Sequence, residues 1–148
     1  MEFLSELLSN RAFLCAILSW GAAQIVKVIL SLWIDKKLDC KRFIGMGGMP
    51  SSHTAFVFSL MLMVGVTEGV GSTYFALAFA LAAVVIYDAM GVRAETGKQG
   101  AVLNEIIREV LIEGKPITEK RLKELVGHTP LEVLGGIVVA VVMVLIMA

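Results

Sequence analysis

The chain has 148 residues, 57% of them hydrophobic, a mean hydropathy of +0.84 and no net charge at pH 7. An ordinary soluble domain runs at about 45–50% apolar residues, so this composition excludes one and describes a small integral membrane protein with no nucleic-acid partner. Two cysteines, Cys15 and Cys40, give neither a disulfide framework nor a metal-ligand spacing and read as inert thiols.

Met1 to Asn10 is acidic, has no small-residue cleavage site, and places Phe3, Leu4, Leu7 and Leu8 at helical spacing. It reads as an interfacial helix rather than a signal peptide. Arg11 to Ile34 follows as a first spanning helix, slightly longer than the roughly 20 residues a bilayer needs. Gln24 and Lys27 lie toward its far end. A lysine there either snorkels to the headgroups or aims a cation at an anion.

Asp35 to Met46 is a loop carrying Lys36, Lys37, Lys41 and Arg42. Ser51 to about Thr67 is a second, short spanning helix, and Glu68 to Gly71 a tight connection. Ser72 to about Val92 is the third span, with Asp88 near its end. Arg93 to Gly127 is polar. Val102, Leu103, Ile106, Ile107 and Val110 make its first part an amphipathic helix, and Glu119 to Val126 predicts a second short helix. Pro130 to Met147 is the last span. The expected fold is therefore all-α: a single polytopic helical bundle of about four spanning helices, over residues 1–148, with an amphipathic insertion at about 93–127.

Four spans place the 35–46 and 93–127 loops on one side. Of 13 Lys and Arg residues, 11 fall in those two loops, so that side is predicted to be cytoplasmic. Both termini then face out. A four-helix bundle with polar edges is also compatible with a homodimer.

Two loop-to-helix junctions on this side each carry one of the chain's two histidines. The first is Gly47-Gly48-Met49-Pro50-Ser51-Ser52-His53, where glycines free the backbone and a serine can cap the helix. The second is His128-Thr129-Pro130-Leu131-Glu132. A helix N-terminus offers unpaired N–H groups and the positive end of a dipole, and so attracts anions. Each residue also has a plainer role. Thr129, Pro130 and Glu132 form a capping box, Ser51 or Ser52 an N-cap, and Asp88 and Arg93 an ion pair.

As a set, Lys27, Arg93, His53, His128, Ser51 and Ser52 suit a phosphate ester. Cations and amides hold the oxyanions, one histidine attacks phosphorus, and the other protonates the leaving oxygen. Glu132 can orient the nucleophile. No acidic cluster with metal-ligand spacing is present in the sequence, so the expected mechanism uses no metal and no cofactor.

These residues resemble a known family. Pro50-Ser51-Ser52-His53 looks like the Pro-Ser-Gly-His motif of the type 2 phosphatidic acid phosphatases, which share an active site with vanadium haloperoxidases. His128 to Glu132, closing on Gly135-Gly136, looks like that superfamily's His-x3-Asp motif. The similarity is greatest to a small divergent bacterial branch, in GGMPSSHTA, YDAMGVRAETGKQGAVLN and LVGHTPLEVLGG, and runs from about Ser19 onward.

The resemblance implies that His128 is the phosphoryl-accepting nucleophile, Glu132 its orienting acid and His53 the general acid. Lys27, Ser51, Ser52 and Arg93 would bind phosphate, with Asp88 and Arg42 in support. The chain departs from the pattern in four places. Ser52 stands where the family has glycine. Ile34-Asp35 replaces an Arg-Pro pair, for which Arg42 is the substitute. Glu132 replaces aspartate, and a long insertion separates Arg93 from His128.

The expected function is a membrane-embedded, metal-independent phosphatase. Its substrate would be a lipid phosphate monoester of the phosphatidylglycerophosphate or phosphatidate class, held at the cytoplasmic headgroup level with the tail entering laterally between helices. An isoprenoid pyrophosphate phosphatase is an alternative. So is a non-catalytic membrane protein that binds anionic lipid or a partner through its basic face.

Overall fold

The computed structural model describes residues 2–35, 48–110 and 128–148. Six helices occur among them: α1 (Glu2–Ser9), α2 (Arg11–Asp35), α3 (Ser52–Glu68), α4 (Thr73–Met90), α5 (Val92–Val110) and α6 (Pro130–Met147). No strand occurs among the described residues, and the protein is a helical membrane bundle.

Local chemistry sets the helix starts. The Asn10 side chain accepts from the Phe13 N–H at 3.0 Å, so α1 ends and α2 begins across a single capping residue. Ser51, rather than Ser52, caps α3, and Ser72 caps α4, each accepting from the amide three residues on. Thr129 caps α6 with proline in its first turn and Glu132 closing the capping box, as the sequence predicts. Gly69, at φ 85°, ends α3 in a backbone conformation open to glycine, which permits the short turn to α4.

The third span lies where the sequence places it and passes almost directly into the amphipathic helix. α4 stops at Met90, two residues before Val92, and α5 starts at once. Gly91 is the single break, its N–H bonded to the Tyr87 carbonyl at 2.8 Å. The amphipathic segment is thus a near-direct continuation of α4. Val102, Leu103 and Ile107 on α5 are exposed. The expected 119–126 helix, Cys40 and Arg42 lie outside the described residues.

Three segments, Arg11–Trp33, Thr73–Asn104 and Pro130–Met147, are long and apolar enough to cross a membrane. α3 is apolar but has only 17 residues. Its composition shows no polar face, and a helix apolar all round is a buried one. α3 accordingly packs against α2, α4 and α6, and no residue from Ser51 to Gly65 is exposed.

The interior is graded along the bundle. Cys15, Met63 and Val144 form an apolar cluster joining α2, α3 and α6 at one end. Val57, Met61, Ala78 and Ala82 join α3 to α4. At the other end the buried residues turn polar: Gln24, Lys27, Ser31, Ser51, Ser52, Thr54 and His128. On α2 the buried positions Cys15, Ser19, Ala23, Lys27 and Ser31 recur every four residues, the spacing of one helix ridge. Large apolar side chains cover the outside, among them Ile25, Ile29, Leu77, Leu81, Val138 and Leu145. In water such a surface would be anomalous; against acyl chains it is required. Trp33 and Tyr87, 85% and 74% exposed, lie toward the polar end of α2 and α4, the level favoured by interfacial aromatic residues.

Candidate active site

The two histidine junctions meet at the polar end of the bundle. The His53 and His128 rings stand edge to face, with centroids 5.7 Å apart and planes at 77°. His53 lies in the first turn of α3; His128 precedes the α6 cap. His128 is buried and His53 half-buried, and Nδ1 of each is inaccessible.

Backbone bonds hold the pair. The Ser51 N–H donates to the Glu132 carbonyl at 2.9 Å, joining the start of α3 to the first turn of α6. The His128 N–H donates to the Ala89 carbonyl at 2.9 Å, tying the α6 entrance to the end of α4. Glycine makes the first contact feasible. A Cβ on Gly136 would lie 2.5 Å from the Ser51 carbonyl oxygen and 2.8 Å from Thr54 Cβ. A Cβ on Gly135 would lie 3.2 Å from Pro50 Cβ. These glycines let α6 approach the 49–51 turn at backbone distance.

Ser51 is fully buried, and its Oγ accepts from the Thr54 N–H at 3.3 Å and the Thr54 hydroxyl at 3.0 Å. With both lone pairs of the hydroxyl engaged, its own proton is left to point elsewhere. Ser52 is buried beside it at the start of α3.

Lys27 reaches this end from α2 and is only 4% exposed. Its aliphatic stem passes Gly48, where an added Cβ would lie 3.6 Å from Lys27 Cδ. Gly48 itself has φ 96°. Glu132 is also the capping residue of α6: Oε2 accepts from the Thr129 N–H at 2.9 Å, and the Glu132 N–H donates to Thr129 Oγ1 at 3.3 Å.

His53, His128, Ser51 and Glu132 are therefore brought together at the entrances of α3 and α6, Ser52 stands beside Ser51, and Lys27 of α2 lies against Gly48, three residues before Ser51. Asp88 is half-buried and adjacent to Ala89, whose carbonyl holds His128. Arg93 falls in the first turn of α5, immediately after the Gly91 break.

Three contributors are additional to the sequence reading. Thr54 fixes the Ser51 hydroxyl, the Ala89 carbonyl fixes His128, and Ser31 extends the buried polar ridge one turn beyond Lys27. The four-residue spacing from Ser19 to Ser31 is the signal for the last; nothing local signals the Ala89 contact.

The Divergent PAP2 family profile matches residues 8–143. The uncharacterized membrane protein YuiD of Bacillus subtilis (strain 168) is 34% identical over 153 residues, an alignment covering 97% of each chain. No solved structure matches the chain significantly.

Proposed function

The chain belongs to the Divergent PAP2 family, and from that membership and the paired histidines we propose that it is a membrane-embedded phosphatase acting on a lipid phosphate monoester without a metal. The observation that carries the proposal is the 5.7 Å approach of His53 and His128 at two helix entrances at the buried polar end of the bundle.

In the proposed reaction the phosphate lies against the α3 N-terminus, where helix amides and the Lys27 ammonium offset its charge. A ring nitrogen of neutral His128 attacks phosphorus. The phosphorus–oxygen ester bond breaks as the P–N bond forms, and His53, protonated, donates to the departing alcohol oxygen. Water then attacks the phosphohistidine and gives its proton to the now neutral His53. Inorganic phosphate and His128 are released, and both histidines return to their starting states. Glu132 orients His128 while also capping α6.

Eleven of 13 Lys and Arg residues fall in the sequence stretches 35–46 and 93–127, which adjoin the helix ends that carry the site, and this supports a cytoplasmic site on a multi-pass protein. Phosphatidate and phosphatidylglycerophosphate are substrates of that face; an isoprenoid pyrophosphate is a related candidate.

A second reading draws on the engagement of Glu132 Oε2 by the Thr129 N–H: the junctions bind an anionic headgroup without turnover. Rapid quenching with a substrate labelled in the phosphoryl group separates the two. Catalysis predicts an acid-labile, base-stable adduct on wild type and none on His128→Asn. Binding alone predicts no adduct on either.

A further inference from the structure

Both polar groups of the Ser51 backbone are taken up inside the protein. The N–H donates to the Glu132 carbonyl at 2.9 Å, and the carbonyl accepts from the Ala55 N–H at 3.0 Å. The hydroxyl is engaged only as an acceptor. Its oxygen accepts from the Thr54 N–H at 3.3 Å and from Thr54 Oγ1 at 3.0 Å. A hydroxyl has two lone pairs and one proton, so the proton is what it has left to give. No described residue accepts that proton. Ser51 is 0% exposed, so bulk water does not reach it either. A buried donor without an acceptor is costly and rare, and a role toward a ligand is one of the few reasons to keep one.

Thr54 is what leaves the proton unspent. An N-cap serine accepts from one amide of the first turn, and its second lone pair is then open to any donor. Here the Thr54 hydroxyl fills that second position, so Ser51 cannot turn round and accept from a ligand. Thr54 is itself fixed. It is fully buried, its branched side chain is restricted at χ1, and α6 closes over it: a Cβ on Gly136 would lie 2.8 Å from Thr54 Cβ. A threonine inside a helix ordinarily bonds its hydroxyl to a carbonyl three or four residues back. Thr54 Oγ1 reaches the serine side chain in that place instead.

We propose that Thr54 is a positioning residue: its two bonds turn the Ser51 hydroxyl into a one-way donor, aimed at an oxygen of the phosphate held at the α3 entrance. The partner such a donor takes is an acceptor-only oxygen, the ionised terminal oxygen of a phosphate monoester. The phosphate approaches past His53, which is half-buried where Ser51, Ser52 and His128 are buried. This rests on the anion site of the phosphatase reading but not on turnover.

The test is binding of inorganic phosphate to the full-length protein in detergent, by titration calorimetry. Wild type is compared with Thr54→Val, Thr54→Ser, Ser51→Ala and the double variant Thr54→Val with Ser51→Ala. Valine keeps the branched shape and removes the hydroxyl; serine keeps the hydroxyl and removes the methyl group. Loss of one charge-assisted contact weakens binding about tenfold or more in Thr54→Val and in Ser51→Ala, while Thr54→Ser stays close to wild type. The double variant binds no more weakly than Ser51→Ala alone, because Thr54 acts only through that hydroxyl; independent effects would multiply. On a lipid phosphate, KM rises in Thr54→Val with kcat little changed, the mark of a contact made in ground state and transition state alike.

Wild-type affinity in Thr54→Val, or multiplied losses in the double variant, would overturn the proposal. Equal losses in Thr54→Val and Thr54→Ser would overturn it in favour of packing against Gly136. Should Thr54→Val not fold, Thr54→Ala carries the same prediction. Phosphate release, assayed on the same preparation, keeps the two proposals apart. Coupled loss of binding with no release by wild type supports the role of Thr54 and removes the phosphatase. Release by wild type with undiminished phosphate binding by Thr54→Val removes the role of Thr54 alone. No binding of phosphate to wild type overturns the anion site itself, and the role of Thr54 with it.

Discussion

The Ser51 amide donates to the Glu132 carbonyl across 2.9 Å, and this one bond joins the entrances of the two helices that carry the histidines. The residues flanking it explain why the sequence has glycine where α6 meets α3. They also yield a graded prediction.

Gly136→Ala places a methyl group 2.5 Å from the Ser51 carbonyl oxygen, an approach to backbone that nothing flexible can relieve. Overpacking of this kind costs about 1–3 kcal/mol and separates His53 from His128. Gly135→Ala, at 3.2 Å from Pro50 Cβ, should cost less, and Gly21→Ala, with nothing within 4 Å, should be neutral or stabilising by up to about 1 kcal/mol. Thermal unfolding in detergent should therefore rank Gly21→Ala above wild type or equal to it, then Gly135→Ala, then Gly136→Ala. Turnover should fall in the same order.

Lys27→Met separates charge from packing. Methionine keeps an apolar stem against Gly48 and removes a buried cation, so the fold should be as stable as wild type or more so. Loss of a charge-assisted contact to phosphate, about 1.5–3 kcal/mol, should raise KM about 10- to 100-fold. Competition by inorganic phosphate or vanadate should weaken by the same factor. A drop in thermal stability with unchanged KM would assign Lys27 to structure.

Glu132 carries two roles that one substitution divides. Glu132→Gln retains a carbonyl oxygen for the Thr129 N–H and so should keep the α6 cap; Glu132→Ala loses it, at about 0.5–2 kcal/mol. If the carboxylate also orients His128, Glu132→Gln should fold normally and lose about 100-fold or more in kcat. Full activity in Glu132→Gln would leave the residue as a cap only.

Much of this architecture was legible from local pattern. The α6 boundaries follow from the Thr129-Pro130-Glu132 start and the uninterrupted apolar run after it. The α3 start follows from Ser51 ahead of an apolar stretch. The two histidines stand out because each occupies a helix entrance on the same side. What local pattern does not carry is anything that depends on which helix lies beside which. The central place of α3 is hidden because a helix apolar all round gives no direction to its partners. The Gly91 break is hidden because the apolar run continues through Val92. The Ala89-to-His128 bond joins residues 39 apart in sequence through backbone atoms alone, so no residue type betrays it.

The measurement closest to the central claim is release of inorganic phosphate from a panel of lipid phosphates by the purified protein in detergent with EDTA. Wild type is compared with His128→Ala and His53→Ala. The account predicts release by wild type, none by His128→Ala, and a loss of about 100-fold or more for His53→Ala on substrates with an alkoxide leaving group. Undiminished release by a folded His128→Ala, or no release from any lipid by wild type, would contradict it.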